Sequence, residues 1–453
     1  MKKIFLSMMA ALLACTSLST PAAAKEEPSI SVMLDGKYIE FDVQPTMIND
    51  RTMVPLRAIF EALGASVGWI EGSETAISKM GDTQIAIKIN DNVLMKNGEP
   101  IALDVPAQLV GKRTLVPVRA ISEAYGCYVG WNEWDNTVII VSDLNKTPIA
   151  TVNGEDISVG YFNFMLSQVE AYAMQSFNCT ADEIKRIWNS TLGSTSFGEY
   201  MVSTTLEQCV YTRANAIKAK NRGIKLSSSD KNVIKANIKK IADAYGDVFE
   251  QYMKKMGTTP EAIEQFYEDN IYAEKYYDVL FDDAQMSEKE SKKYLDTNYI
   301  RAKHILFSTV DANTNQPLSA EKIASKKALA ESTLTKIKSG HNFDNLVKEL
   351  GEDPGAAQNP NGYLFTKGDM VKEFENAAYA LSIDGVSEIV ESQYGYHIIK
   401  RVSNGTYSEQ EIAQVSTELA VDKVSAVMNE NKVNATVTSD ANMISNVVPI
   451  EFE

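Results

Sequence analysis

Only three histidines occur in this chain of 453 residues, and His304, His341 and His397 all fall in one stretch. Two of them lie in segments that read as strands, Arg301-Ala302-Lys303-His304-Ile305-Leu306-Phe307 and Tyr394-Gly395-Tyr396-His397-Ile398-Ile399-Lys400. A lone inward histidine on a strand is ordinarily a satisfied core residue. Two of them, with a carboxylate in Glu352-Asp353-Pro354-Gly355 and a hydroxyl at Ser392 in the same stretch, make a candidate polar site. Each imidazole both donates and accepts a hydrogen bond near neutral pH, so such a group is able to orient its own members.

The elements that position these residues are legible from spacing. Ala320 to about Lys338 reads as a helix stopped by Gly340, and Phe343 to Leu350 as a second, stopped by Gly351. His341 follows Gly340 at a helix start, where it is expected to be exposed. The run Gly368-Asp369-Met370-Val371-Lys372-Glu373-Phe374-Glu375 precedes the second histidine strand.

In order and spacing, residues 301–402 resemble a parvulin-type peptidyl-prolyl isomerase. Five motifs match along the segment. His304 and His397 stand at the family's two histidines, Asp353 at its Cys/Asp position, and Ser392 at its Ser/Thr position. Met370 and Phe374 stand at the proline-pocket Met and Phe. The resemblance implies isomerisation of X-Pro bonds, with Met370, Phe374 and Leu364 holding the proline ring. His304, His397, Asp353 and Ser392 would form a polar floor that is structural and electrostatic rather than an acid–base pair. Such a reaction breaks no bond, so no cofactor or metal is expected. One departure is visible: Asn359-Pro360-Asn361-Gly362-Tyr363-Leu364 replaces the paired glycines usual before the family's Leu.

The rest of the chain reads as carrier. Residues 25–144 contain a repeat with an offset of 62. Arg51-Thr52-Met53-Val54-Pro55-Leu56-Arg57-Ala58-Ile59 recurs as Arg113-Thr114-Leu115-Val116-Pro117-Val118-Arg119-Ala120-Ile121, and Val67-Gly68-Trp69 as Val129-Gly130-Trp131. Asp35-Gly36 and Asn97-Gly98 suit hairpin turns, which need positive φ. Each unit is expected as hairpin, short helix and hairpin, with Trp69 or Trp131 anchoring the core. This region resembles copper amine oxidase N-terminal-like domains of secreted proteins, which implies a spacer or an envelope-binding module. It contains no histidine, the ligand that copper(II) would require.

Residues 145–298 open with a hairpin at Asn153-Gly154 and continue with helical periodicity. Thr180 with Glu183, and Ser287 with Glu290, have capping-box spacing. Tyr161, Phe162, Phe164, Met165, Tyr172, Met174, Tyr252, Met253 and Met256 read either as plain helical core or as an adaptable cradle for unfolded chains. The region resembles the chaperone domains of SurA-like and PrsA-like foldases. Residues 404–453 supply a last helix, from Ser408 to about Asn431, which by the same resemblance returns to the helical domain.

The expected architecture is thus multidomain α+β. It comprises a β-rich duplicated module, an α-helical chaperone-like domain, and a parvulin (FKBP-like α+β) domain at 299–403 inserted before a C-terminal helix. Residues 1–24 read as a signal peptide, with Lys2 and Lys3 before the short apolar run Ile4–Ala14. Ala22-Ala23-Ala24 fits ordinary cleavage, whereas Leu12-Leu13-Ala14-Cys15 resembles a lipobox in which Cys15 carries a lipid. Ordinary cleavage is preferred, since the apolar run is short for a lipoprotein signal. The protein is therefore expected in a bacterial envelope or outside the cell, at a membrane only if Cys15 is lipidated. With 60 acidic against 44 basic residues, nucleic acid is a poor partner. Exported polypeptides containing X-Pro and, through the repeats, envelope components are the expected ones. Cys127, Cys179 and Cys209 lack metal spacing and an even count; they read as buried single thiols, with a Cys179–Cys209 bridge as the alternative in an exported protein.

Overall fold

In the duplicated module, equivalent positions of the two copies meet. A computed structural model describes residues 29–450 except 313 and 315, so the expected signal peptide and Cys15 lie outside the described residues. The strands Arg51–Pro55 and Arg113–Pro117 run antiparallel with Val54 opposite Val116, Met53 opposite Pro117 and Pro55 opposite Leu115. Because Val116 is the counterpart of Val54 at the offset of 62, a local two-fold relates the copies at this pair. The helices Leu56–Ala62 and Val118–Ala124 repeat the same offset. Gly64 (φ +82°) and Gly126 (φ +86°) end them in the left-handed region. Two ion pairs obey the symmetry: Arg51 Nε bonds Asp104 at 2.7 Å, and Arg113 Nε bonds Asp42 at 2.7 Å.

The hairpin turns fall where expected, with positive φ at Asp35, Gly36, Asn97, Gly98, Asn153 and Gly154. The tryptophans depart from expectation. Trp69 is 44% exposed and anchors nothing, while Trp131 is partly buried and packs against the module's core. Trp69 lies on the strand Ser66–Ile70, at the edge of a five-stranded sheet.

Helices Val159–Phe177, Ala181–Ile187, Phe197–Asn221, Ser228–Tyr245, Phe249–Met256, Pro260–Ala284 and Glu288–Asn298 follow. Thr180/Glu183 and Ser287/Glu290 form complete capping boxes. Tyr161, Phe162, Phe164, Met165, Met253 and Met256 are buried in one core, so these six are not an exposed cradle. Arg213 and Asp269, each almost fully buried, bond at 2.6 Å, and Arg213 Nη1 also donates to Asp156 O at 2.8 Å. Breaking such a pair leaves a buried charge unmatched. Cys127, Cys179 and Cys209 are unpaired, with Cys179 only partly buried.

The described residues divide into two compact units, residues 29–273 with 432–450, and residues 274–431. In the first, the strand Val437–Ser439 pairs with Pro148–Val152, an element the sequence reading missed. Asn132 Nδ2 donates to Asn446 Oδ1 at 3.2 Å, tying the C-terminal segment to the repeats. The second unit holds a four-stranded antiparallel sheet in the order Tyr363–Phe365, Ile300–Ser308, Gly395–Val402, Val390–Ser392. Helices Ala320–Lys338, Phe343–Leu350 and Lys372–Ala380 accompany it. The last long helix, Glu409–Val433, begins with Ser408 and Glu411 bonding reciprocally. Among the described residues no helix is long and apolar enough to cross a membrane.

Candidate active site

Strand register brings the polar residues together. Leu306 pairs with His397, so His304, two residues earlier, is the diagonal neighbour of His397 on the same sheet face. Val390 pairs with His397, which makes Ser392 the diagonal neighbour on the other side. Asp353 arrives from the loop after Phe343–Leu350. Glu352 holds that loop to the sheet: its amide donates to Leu306 O at 2.9 Å, and its carboxylate accepts from Ser308 N at 2.8 Å and pairs with Lys326.

The contacts form one chain. Ser392 Oγ lies 2.7 Å from His397 Nε2, His397 Nδ1 lies 3.1 Å from His304 Nδ1, and His304 Nε2 lies 2.9 Å from Asp353 Oδ2. Tyr363 Oη donates to the same Oδ2 at 2.6 Å, and Gly355 N donates to Oδ1 at 3.0 Å. Burial penalises a charge on Asp353. The bonds from His304, Tyr363 and Gly355 outweigh that penalty and push its pKa down to about 2. Burial, then the neighbouring His304, lowers His397 to about 4, so it is neutral at physiological pH. Burial and the Asp353 carboxylate raise the Tyr363 hydroxyl, which stays protonated.

These states define the direction of the chain when His304 is neutral. An ionised Asp353 only accepts, so His304 carries its proton on Nε2 and accepts at Nδ1. His397 then donates from Nδ1 and accepts at Nε2, and the Ser392 hydroxyl donates. Tyr394 N supplies Ser392 Oγ with a donor at 3.2 Å. Every member is satisfied.

Aromatic rings back this floor. Phe374, 4% exposed, presents its ring edge-to-face to His304 (centroids 5.2 Å) and His397 (5.6 Å). Phe365 lies 5.8 Å from it, and Met370 is half-buried against the same cluster. Leu364 does not join them. Alternation along Tyr363–Phe365 puts Tyr363 and Phe365 on the face of His304, so Leu364 points to the other face. Tyr363, absent from the expected set, takes its place beside the site; counting back two residues from Phe365 would have found it. His341 is exposed and bonds Ser339 Oγ and Lys336 O, away from this group.

Residues 285–404 match the family described as the PPIC-type PPIASE domain. This segment is a parvulin-type domain. Ahead of it, residues 33–140 match the copper amine oxidase N-terminal domain. The chain is 36% identical over 172 residues to the foldase protein PrsA of Geobacillus kaustophilus, covering 37% of this chain and 53% of that protein. It is 31% identical over 209 residues to foldase protein PrsA 1 of Listeria monocytogenes, covering 44% of this chain and 64% of that protein. The matches thus span roughly half to two thirds of these relatives' length. The solution structure of NmPin, the parvuline of Nitrosopumilus maritimus, is 39% identical to this chain, with a TM-score of 0.18. That likeness covers 23% of this chain and 97% of that one. Within this segment lie His304, Asp353, Ser392 and His397, the four members of the hydrogen-bonded chain.

Proposed function

We propose that this protein is an exported foldase whose parvulin domain isomerises X-Pro peptide bonds in polypeptides folding after secretion. The observation that carries the reading is the closed Ser392–His397–His304–Asp353 chain laid against Phe374 and Met370.

Planarity of an amide is worth about 18–20 kcal/mol, because the C–N conjugation depends on it. An X-Pro bond populates both isomers yet exchanges only over tens to hundreds of seconds. A catalyst must hold the ring, let the carbonyl swing, and favour the twisted amide. That form separates less charge than the planar one, so half-buried apolar surface favours it. Met370 supplies such surface, and buried Phe374 is the wall that fixes both imidazoles. The ordered floor contributes a fixed field and needs no reorganisation while the bond turns.

Export is supported by the charged and apolar N-terminal pattern. The helical region resembles foldase chaperone domains, and client-holding is assigned to surfaces other than its buried Tyr, Phe and Met core. The repeats serve as spacer or envelope contact. A protease-coupled assay on a short X-Pro peptide tests the catalytic reading. Wild type accelerates cis-to-trans exchange and Met370→Ala loses most of the acceleration. Binding of the peptide without acceleration by wild type would overturn it.

A further inference from the structure

We infer that Tyr363 is a positioning residue of this site: with His304 Nε2 it saturates Asp353 Oδ2, locking the carboxylate rotamer and the His304 tautomer. The inference deepens the isomerase reading and rests on it for its effect on rate, though not for its effect on the imidazoles.

Three observations carry it. Asp353 Oδ2 accepts from both Tyr363 Oη (2.6 Å) and His304 Nε2 (2.9 Å), while Oδ1 is held by Gly355 N (3.0 Å). Both carboxylate oxygens are therefore engaged, and rotation of the group breaks every bond at once. The Tyr363 ring also stands edge-on to His304, with centroids 5.7 Å apart, so the residue fixes the imidazole from its face and through its acceptor. Finally, residue 355 has no side chain where the hydroxyl lies. A Cβ on Gly355 would sit 2.1 Å from Tyr363 Oη but 3.3 Å from Cζ. Residue 355 thus leaves room for the hydroxyl, and once the hydroxyl is gone a Cβ there needs the ring to give by only a few tenths of an ångström.

The consequence follows from the direction of the chain. With Oδ2 held as a double acceptor, His304 keeps its proton on Nε2 and offers a lone pair at Nδ1 to His397. Without the phenol, the carboxylate keeps only Gly355 N on Oδ1 and His304 on Oδ2, so its rotamer is held less firmly and the second neutral tautomer of His304 gains population. Ser392 then loses a fixed partner two bonds away.

The test uses the full-length chain. It has three histidines, so imidazole ¹⁵N signals are assigned by substituting each in turn. Wild type is expected to show one His304 tautomer at neutral pH, and Tyr363→Phe a mixture, with kcat/KM down about tenfold. Gly355→Ala, which displaces the hydroxyl, is expected to reproduce both effects. In the double variant Gly355→Ala adds little, because the Cβ then meets Tyr363 Cζ at 3.3 Å and Asp353 Oδ1 at 3.5 Å instead of a hydroxyl at 2.1 Å. An unchanged His304 tautomer in Tyr363→Phe, or additive losses in the double variant, would overturn the inference. A tyrosine that merely filled space would change stability without moving the ¹⁵N pattern. Should wild type turn no X-Pro peptide, the catalytic reading falls, and the ¹⁵N comparison still decides the role of Tyr363.

Discussion

Asp353 sets the direction in which the Ser392 hydroxyl points, although two imidazoles stand between them. The carboxylate can only accept, so each donor along the line is determined in turn, ending at Oγ. A second proton on His304 would reverse the order, making Nδ1 a donor and turning His397 to donate from Nε2 toward Ser392.

Removing the acceptor tests this coupling. Asp353→Ala leaves His304 Nε2 and the Tyr363 hydroxyl without their common partner. We expect kcat/KM on an X-Pro peptide to fall about 10²-fold. The measurement is the protease-coupled rate, with circular dichroism to verify the fold; wild-type activity in this variant would refute the role given to the carboxylate.

Acid should loosen the second unit in two steps. His397 has a folded pKa of about 4 against an ordinary 6.5, so between those values the unfolded chain binds the extra proton. Its contribution is full above pH 6.5 and is lost as pH falls toward 4, by at most about 3 kcal/mol. Asp353, depressed to about 2 from 3.8, contributes above pH 3.8 and is lost as pH falls through 2. Hydrogen exchange of the amides in Gly395–Val402, followed from pH 7 to pH 4, reads the first step. His397→Asn should flatten that step, and no pH dependence in wild type would contradict it.

Met370 and Phe374 should separate function from stability. Phe374 is buried against both imidazoles and Phe365, so Phe374→Ala is expected to cost about 3–5 kcal/mol and to lower activity through loss of order. Met370 is half-buried, so Met370→Ala should cost less than about 2 kcal/mol while removing most of the acceleration. Urea titration beside the peptide assay distinguishes the two. Equal stability losses would mean that Met370 is a core residue.

The symmetric ion pairs of the repeats should be weak and alike. Both Arg51–Asp104 and Arg113–Asp42 lie about half in solvent. Each of Arg51→Ala and Arg113→Ala is expected to lower stability only slightly, the two adding, with little effect left in 1 M salt. Thermal melts at low and high salt measure this; a large loss for only one arginine would break the proposed equivalence.

Much of this arrangement was legible in the chain. The offset of 62, the Asn-Gly and Asp-Gly turns, and the spacing of Thr180 to Glu183 report local rules, and the folded elements obey them. His304, Asp353, Ser392 and His397 were legible through a resemblance, but the diagonal register that joins them is a property of paired strands. Leu364 was misplaced because a three-residue strand carries too little alternation to declare its face. Trp69 was misplaced because its local pattern equals that of Trp131, while burial depends on what packs nearby. Val437–Ser439 was missed since all three residues are exposed, leaving no apolar period to read.

That late strand constrains the order of assembly. Its partner, Pro148–Val152, leaves the ribosome nearly three hundred residues earlier, with all of residues 274–431 in between. The sheet around Pro148–Val152 therefore waits, incomplete, until residues 437–439 have been made. The parvulin-type segment has every one of its own strands by Val402 and is free to mature first. A nascent chain truncated after residue 431 would thus carry a finished parvulin-type sheet on an unfinished frame.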